Sequence, residues 1–179
     1  MNYWRGLVPT LALFFSISIQ ADQSFADQTF FDELPNFHEV DANSLYRSGA
    51  PTPEGIRTMA KLNVRTVLDL RDDDPDGTRK EAQLARELGM KFISIPLNSF
   101  VKPRESTMNS IAAILNDPTQ RPLWVHCTHG RDRTGLVIGL YRVFSQGVTP
   151  REAYYEMLDY GFRSLLLGLR LYYLDQTGY

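Results

Sequence analysis

Cysteine is almost absent from this chain: there is one, Cys127, in 179 residues. A lone thiol cannot close an internal disulfide, and by itself it cannot build a zinc ribbon or an iron–sulfur site. An excess of charge is also missing. Nineteen Lys and Arg face 21 Asp and Glu, a formal net charge of −2, so the basic surplus of a dedicated nucleic-acid binder is not there. Internal repeats and low-complexity tracts are absent. With 43% hydrophobic and 22% charged residues, neither gross disorder nor a multi-span membrane protein fits. The length gives room for one ordinary domain.

One apolar run stands out, Leu7–Ile19, broken only by Pro9, Thr10, Ser16 and Ser18. It is shorter than the roughly 20 apolar residues of a spanning helix. Arg5 before it and small residues after it make the pattern of a secretory signal peptide, with cleavage after Ala21 or Ala26. The expected organisation is therefore signal peptide and start of a tether over 1–26, the rest of the tether over 27–35, and one folded domain over 36–179. The domain is exported, periplasmic or secreted, and any membrane contact is through an uncleaved signal segment. The roughly 150 residues that remain suffice for a proper core.

Beyond the tether, strand-like and helix-like stretches alternate. Strands are predicted at Phe37–Val40, Ser44–Arg47, Val64–Leu70, Phe92–Leu97 and Leu123–His126, where β-branched and apolar residues concentrate. Helices are predicted at Pro53–Leu62, Thr78–Leu88, Pro103–Asn116, Arg133–Gln146, from Thr149-Pro150, and at Ser164–Asp175, whose leucines read as a buried face. The alternation predicts a single-domain α/β fold, a central, mainly parallel sheet flanked by helices. In such sheets ligands bind beyond the carboxyl ends of the strands.

The chemistry gathers at one such end. Leu123–His126 runs into Cys127-Thr128-His129-Gly130-Arg131-Asp132-Arg133-Thr134-Gly135, and a helix follows. A loop closing on a helix N-terminus turns its backbone N–H groups inward and makes an anion-binding cradle. Gly130 permits the tight path, and Gly135 lets the helix approach the sheet. Cys127 faces the positive end of the helix and Arg133, and both favour thiolate over thiol. The Arg133 guanidinium can grip two phosphate oxygens at once.

Cys-x5-Arg with a leading His and a trailing Thr resembles the signature of the cysteine-based protein tyrosine and dual-specificity phosphatases. Asn36-Phe37, Leu45–Gly49 and Leu62–Arg71 extend the resemblance to the atypical dual-specificity phosphatases first defined in plants and fungi, and to small bacterial phytase-like enzymes that act on inositol polyphosphates. The resemblance implies a hydrolase without metal or cofactor. Cys127 attacks phosphorus and forms phosphocysteine, Arg133 holds the equatorial oxygens, Thr134 donates to the thiolate, and His126 braces the loop. The backbone from Thr128 through His129, Gly130 and Arg131 to Arg133 binds phosphate. The implied substrate is an inositol polyphosphate or a phosphoprotein, and the expected state is a monomer.

The chain departs from the family pattern in one respect. The general-acid aspartate expected on a separate upstream loop is missing, because no aspartate lies between Lys91 and Leu115. Asp132, inside the loop, is the replacement candidate. Its alternatives are Glu105, or no acid at all if the leaving group is itself a phosphate. Asp69 and the run Asp72-Asp73-Asp74 with Asp76 also sit at a strand end on the expected active-site face, as candidates to bind a cation or supply the acid; Pro75 and Gly77 mark the more ordinary solvated turn. Arg71, Lys102 and Arg104 are expected on the rim, holding further phosphates beside His129 and Arg131. A metal on His126, Cys127 and His129 is disfavoured, since a ligating thiolate would be lost as nucleophile. Rival readings are a phosphate-binding module without catalysis and a rhodanese-like sulfurtransferase.

Overall fold

A computed structural model describes Phe30 and residues 32–179. The expected signal segment lies outside the described residues. The chain divides into two compact units at Asp32/Glu33, and the second, Glu33–Tyr179, carries the sheet. This unit starts before the expected Asn36: Leu34 is fully buried, and the Glu33 and Pro35 carbonyls accept from Thr52 N and Gly49 N.

Five strands make the sheet: β1 His38–Asp41, β2 Leu45–Ser48, β3 Thr66–Asp69, β4 Lys91–Ser94 and β5 Leu123–His126. Their order is β1-β2-β5-β3-β4, with β1 antiparallel to β2 and every other pair parallel. The α-helices that follow β2 are α1 Pro53–Lys61, α2 Pro75–Glu87, α3 Glu105–Asn116, α4 Asp132–Gln146, α5 Pro150–Asp159 and α6 Leu167–Thr177. The α/β expectation therefore holds. β5, latest in sequence, lies at the centre, and all four of its residues are buried, as befits a strand covered on both faces.

Alternation along β5 sorts the core. Leu123, Val125 and Cys127 join Leu45, Leu68, Leu136 and Ile138 in one buried cluster. Trp124 lies between them in sequence, and its indole N–H donates to Ser48 Oγ at 2.8 Å. Replacing Leu136, fully buried on α4, with alanine is expected to cost about 2–5 kcal/mol. At this chain length that lowers the melting temperature by roughly 10 °C, which a thermal denaturation followed by circular dichroism will read.

Three helices start on the same local grammar. Thr52, Asp74 and Thr149 cap α1, α2 and α5 from the side chain, each followed by a proline at the first helical position. Consequently α2 begins at Pro75 rather than Thr78: the Asp74 carboxylate accepts from Gly77 N at 2.9 Å, so the supposed turn is a helix start. The last helix begins at Leu167, not Ser164. Its leucines do not form one buried face: Leu166 and Leu169 are buried, whereas Leu165, Leu167 and Leu171 are exposed. Gly135 is not the close-approach glycine, since a Cβ there would meet Phe162 at an ordinary 3.5 Å. The tight glycine of α4 is Gly139, and it faces another helix rather than the sheet: Met157 Sδ on α5 lies 2.5 Å from a would-be Cβ.

Candidate active site

The loop from Cys127 to Arg131 joins the end of β5 to the first turn of α4. Cys127 is 2% exposed. Two glycines shape its surroundings. Gly130 has φ +68°, and a Cβ on it would lie 2.4 Å from the Ser48 carbonyl carbon, so only glycine fits both the backbone and the space. Gly49 brings the end of β2 against the loop, where a Cβ would meet backbone atoms of His129 and Thr128 at 3.1 and 3.2 Å. The Ala50 N–H then donates to the Thr128 carbonyl at 3.1 Å.

Two remote side chains hold the loop from outside. Arg47, 1% exposed, donates from Nη2 to the Gly130 carbonyl at 2.7 Å, and Asn36 Nδ2 donates to the same oxygen at 3.0 Å. The Arg47 guanidinium lies over the Tyr160 ring at 4.3 Å. Burial pulls its pKa down to about 10, against the pull of Tyr160, Glu156 and Cys127.

Arg133 is 4% exposed, and both terminal nitrogens of its guanidinium are engaged, while Nε has no hydrogen-bond partner. Nη1 reaches Asp72 Oδ1 at 2.7 Å; Nη2 reaches Asp73 Oδ2 at 3.0 Å and Thr128 Oγ1 at 2.8 Å. Thr128 in turn donates to Asp73 at 2.8 Å. Burial alone would lower the Arg133 pKa, but Asp73, Cys127 and Asp72 raise it. Burial would raise Asp73, yet the hydrogen bonds from Arg133 and Thr128 hold it below the usual carboxylate range. The acidic turn after β3 is thus part of the site, through Asp72 and Asp73. Sequence spacing carried no sign of this 60-residue link.

Asp132 is buried, and Arg163 takes up its carboxylate with the backbone N–H at 2.9 Å, Nε at 3.1 Å and Nη2 at 2.8 Å. Arg163, on the α5–α6 connection, was not among the expected site residues. Its pKa is raised first by Asp132, and Cys127 adds to the rise, so it lies within electrostatic reach of the thiol. Thr134 is fully buried with its hydroxyl unpartnered, which leaves that hydroxyl free to donate. His129 is exposed and Arg131 half-buried, its Nε unpartnered.

The expected rim is only partly a rim. Arg71 does not belong to it: it is 6% exposed and points inward, with Nε on Asp69 Oδ1 at 2.9 Å and Nη2 on Asp69 Oδ2 at 2.9 Å and on Glu81. Lys102 is paired with Asp175, and Arg104 stands exposed at the head of α3. Glu105 is exposed in the first turn of the same helix. His126 is the last residue of β5, ahead of the loop. Its Nε2 lies 2.8 Å from Glu81 Oε1, and its carbonyl accepts from Leu70 N at 2.9 Å. Among the described residues, Asp69, Glu81 and His126 form a buried group whose ligand atoms lie close enough together for a metal. Arg71 already supplies a cation to both carboxylates. Asp69 would be raised by burial, but His126 and Arg71 depress it, so it is held ionised in that network.

A thiol at the end of a central parallel strand, an anion-binding turn and an arginine on the following helix define the fold class of the cysteine-loop phosphatases. The core catalytic domain of the PP-IP phosphatase SIW14 from S. cerevisiae, solved with citrate, has this fold, with TM-score 0.68 at 22% identity over 80% of this chain and 88% of that one. Residues 27–165 match the family described as DSP-PTPase phosphatase fused to NAD+ kinase, and the chain belongs to that family. It is 27% identical over 119 residues to the dual specificity protein phosphatase TpbA of Pseudomonas aeruginosa, covering 66% of this chain and 52% of TpbA. It is 29% identical over 112 residues to the inositol diphosphatase DSP3 of Arabidopsis thaliana, covering 60% and 53%. The chain spans about half the length of these curated relatives.

Proposed function

We propose that this chain is a cysteine-dependent phosphatase that hydrolyses phosphomonoesters through a phosphocysteine intermediate, with inositol polyphosphates as its substrates. The observation that carries the reading is the buried Cys127 on the same short loop as Arg133, with the loop closing on the N-terminus of α4. Cys127 attacks phosphorus, and the backbone N–H groups and Arg133 take up the charge of the equatorial oxygens. Thr134 donates to the departing thiolate when water cleaves the intermediate. A substrate with several phosphates finds further donors in His129, Arg131 and Arg163 around the thiol, which a near-neutral chain supplies only locally. The names of DSP3 and SIW14 support this substrate class; that of TpbA supports phosphoproteins.

The test is phosphate release from inositol hexakisphosphate and from phosphotyrosine peptides, with EDTA present and absent, together with acid-quench mass spectrometry. The expected result is a phosphoryl group on Cys127, indifference to EDTA, and kcat/KM at least tenfold higher on the inositol polyphosphate. Equal or better turnover of the peptides overturns the substrate. Loss of activity in EDTA overturns the mechanism.

A further inference from the structure

Three carboxylates come into question for the proton that a leaving oxygen needs, and the geometry separates them. Glu105 is exposed in the first turn of α3. Asp132 has both oxygens bound by Arg163, through three donors within 3.1 Å. Asp73 is the third. Its carboxylate touches two groups that face a bound phosphate, Thr128 at 2.8 Å and Arg133 Nη2 at 3.0 Å, yet its side chain is 48% exposed. It therefore bridges the cradle wall and the solvent, where a leaving group must pass. Asp72, 28% exposed, makes the 2.7 Å pair with Arg133 Nη1 and serves to orient that guanidinium.

We infer that Asp73, on the turn between β3 and α2, is the general acid–base residue of the reaction, in place of the aspartate missing between Lys91 and Leu115. The inference rests on the phosphocysteine reading. In the first step the Cys127 sulfur bonds to phosphorus as the bond from phosphorus to the leaving oxygen breaks, and the Asp73 carboxyl proton moves to that oxygen. In the second, water oxygen bonds to phosphorus as the sulfur–phosphorus bond breaks, and the Asp73 carboxylate takes the proton from that water. Thiolate and inorganic phosphate are released.

The resting site explains how Asp73 acquires its proton. Without substrate, Arg133 and Thr128 hold it ionised. A phosphate in the cradle draws both donors to its own oxygens and places negative charge beside the carboxylate, and each change favours the protonated form. Among the described residues, the charged groups around Asp73 are Arg133 from α4 and Asp72 and Asp74 on its own turn, with Arg71 3.9 Å from Asp74. Among the described residues Arg133 is the cation that faces Asp73 directly, and substrate claims it.

The experiment compares Asp73→Asn, Asp73→Glu and Asp132→Asn on p-nitrophenyl phosphate, a good leaving group, and β-glycerophosphate, a poor one. Cys127→Ser is run beside them, and folding is checked by circular dichroism. Asp73→Asn is expected to lose about 10²–10³ in kcat on the poor leaving group and less than about tenfold on the good one. It also loses the descending alkaline limb of the pH–kcat profile, and Asp73→Glu restores part of both. Asp132→Asn is expected to fall equally on the two substrates. Equal losses for Asp73→Asn, or none, overturn the assignment. A leaving-group-dependent loss in Asp132→Asn overturns it in favour of Asp132. Activity surviving in Cys127→Ser overturns the phosphocysteine reading itself, whatever Asp73 does.

Discussion

Cys127→Ser is expected to lower kcat on the order of 10⁴-fold or more while leaving the fold and the affinity for phosphate close to unchanged. The swap keeps the shape of a side chain that is only 2% exposed, so packing changes little. The chemistry changes completely. A serine hydroxyl is a far weaker acid than a thiol and gives up its proton far less readily. Steady-state phosphate release measures the loss, and calorimetric titration with phosphate measures the retained affinity. Activity within tenfold of the parent would place the nucleophile elsewhere.

Arg133→Lys is expected to cost on the order of 10³ in kcat/KM, or about 4 kcal/mol of transition-state stabilisation. Lysine keeps the charge and loses the fork. Two guanidinium nitrogens act at separate points, one on Asp72 and the other on Asp73 and Thr128. An ammonium group reaches one such position at a time. The variant also loses the resting grip on the acidic turn, so the loss appears in kcat as well as KM. A fall of less than tenfold would mean that the backbone cradle alone carries the phosphate charge.

The nucleophile, the clamp and the elements that present them were legible because they are local. Cys127, Gly130, Arg133 and the helix after them lie within one continuous stretch, and β5 was recognised to the residue. Polar partners that meet across the sheet were not. Arg71 reads as a rim residue because it is charged and follows a strand; its burial depends on Asp69 and Glu81, the latter ten residues along on another element. Hydropathy assigns charge to the surface and is blind to a buried ion pair that satisfies itself. The same blindness hid Arg163, whose partner is 31 residues away, and the tie between Arg133 and the acidic turn. The α2 start failed for a different reason. Asp-Pro-x-Gly serves a turn and a helix cap equally well, and only the Asp74 to Gly77 hydrogen bond decides between them.

The Gly130 carbonyl has a consequence for binding. The peptide joining Gly130 to Arg131 is trans and planar, so its N–H points opposite to its C=O. By pulling that oxygen toward themselves, Arg47 and Asn36 turn the Arg131 N–H away from them, and so fix the aim of an anion donor that neither residue touches. The ordering of this amide is accomplished when the chain folds, and an arriving phosphate need not bear it. Oxyanions of similar shape, such as sulfate or vanadate, therefore meet a loop already set, and their occupancy raises thermal stability by mass action in proportion to their affinity.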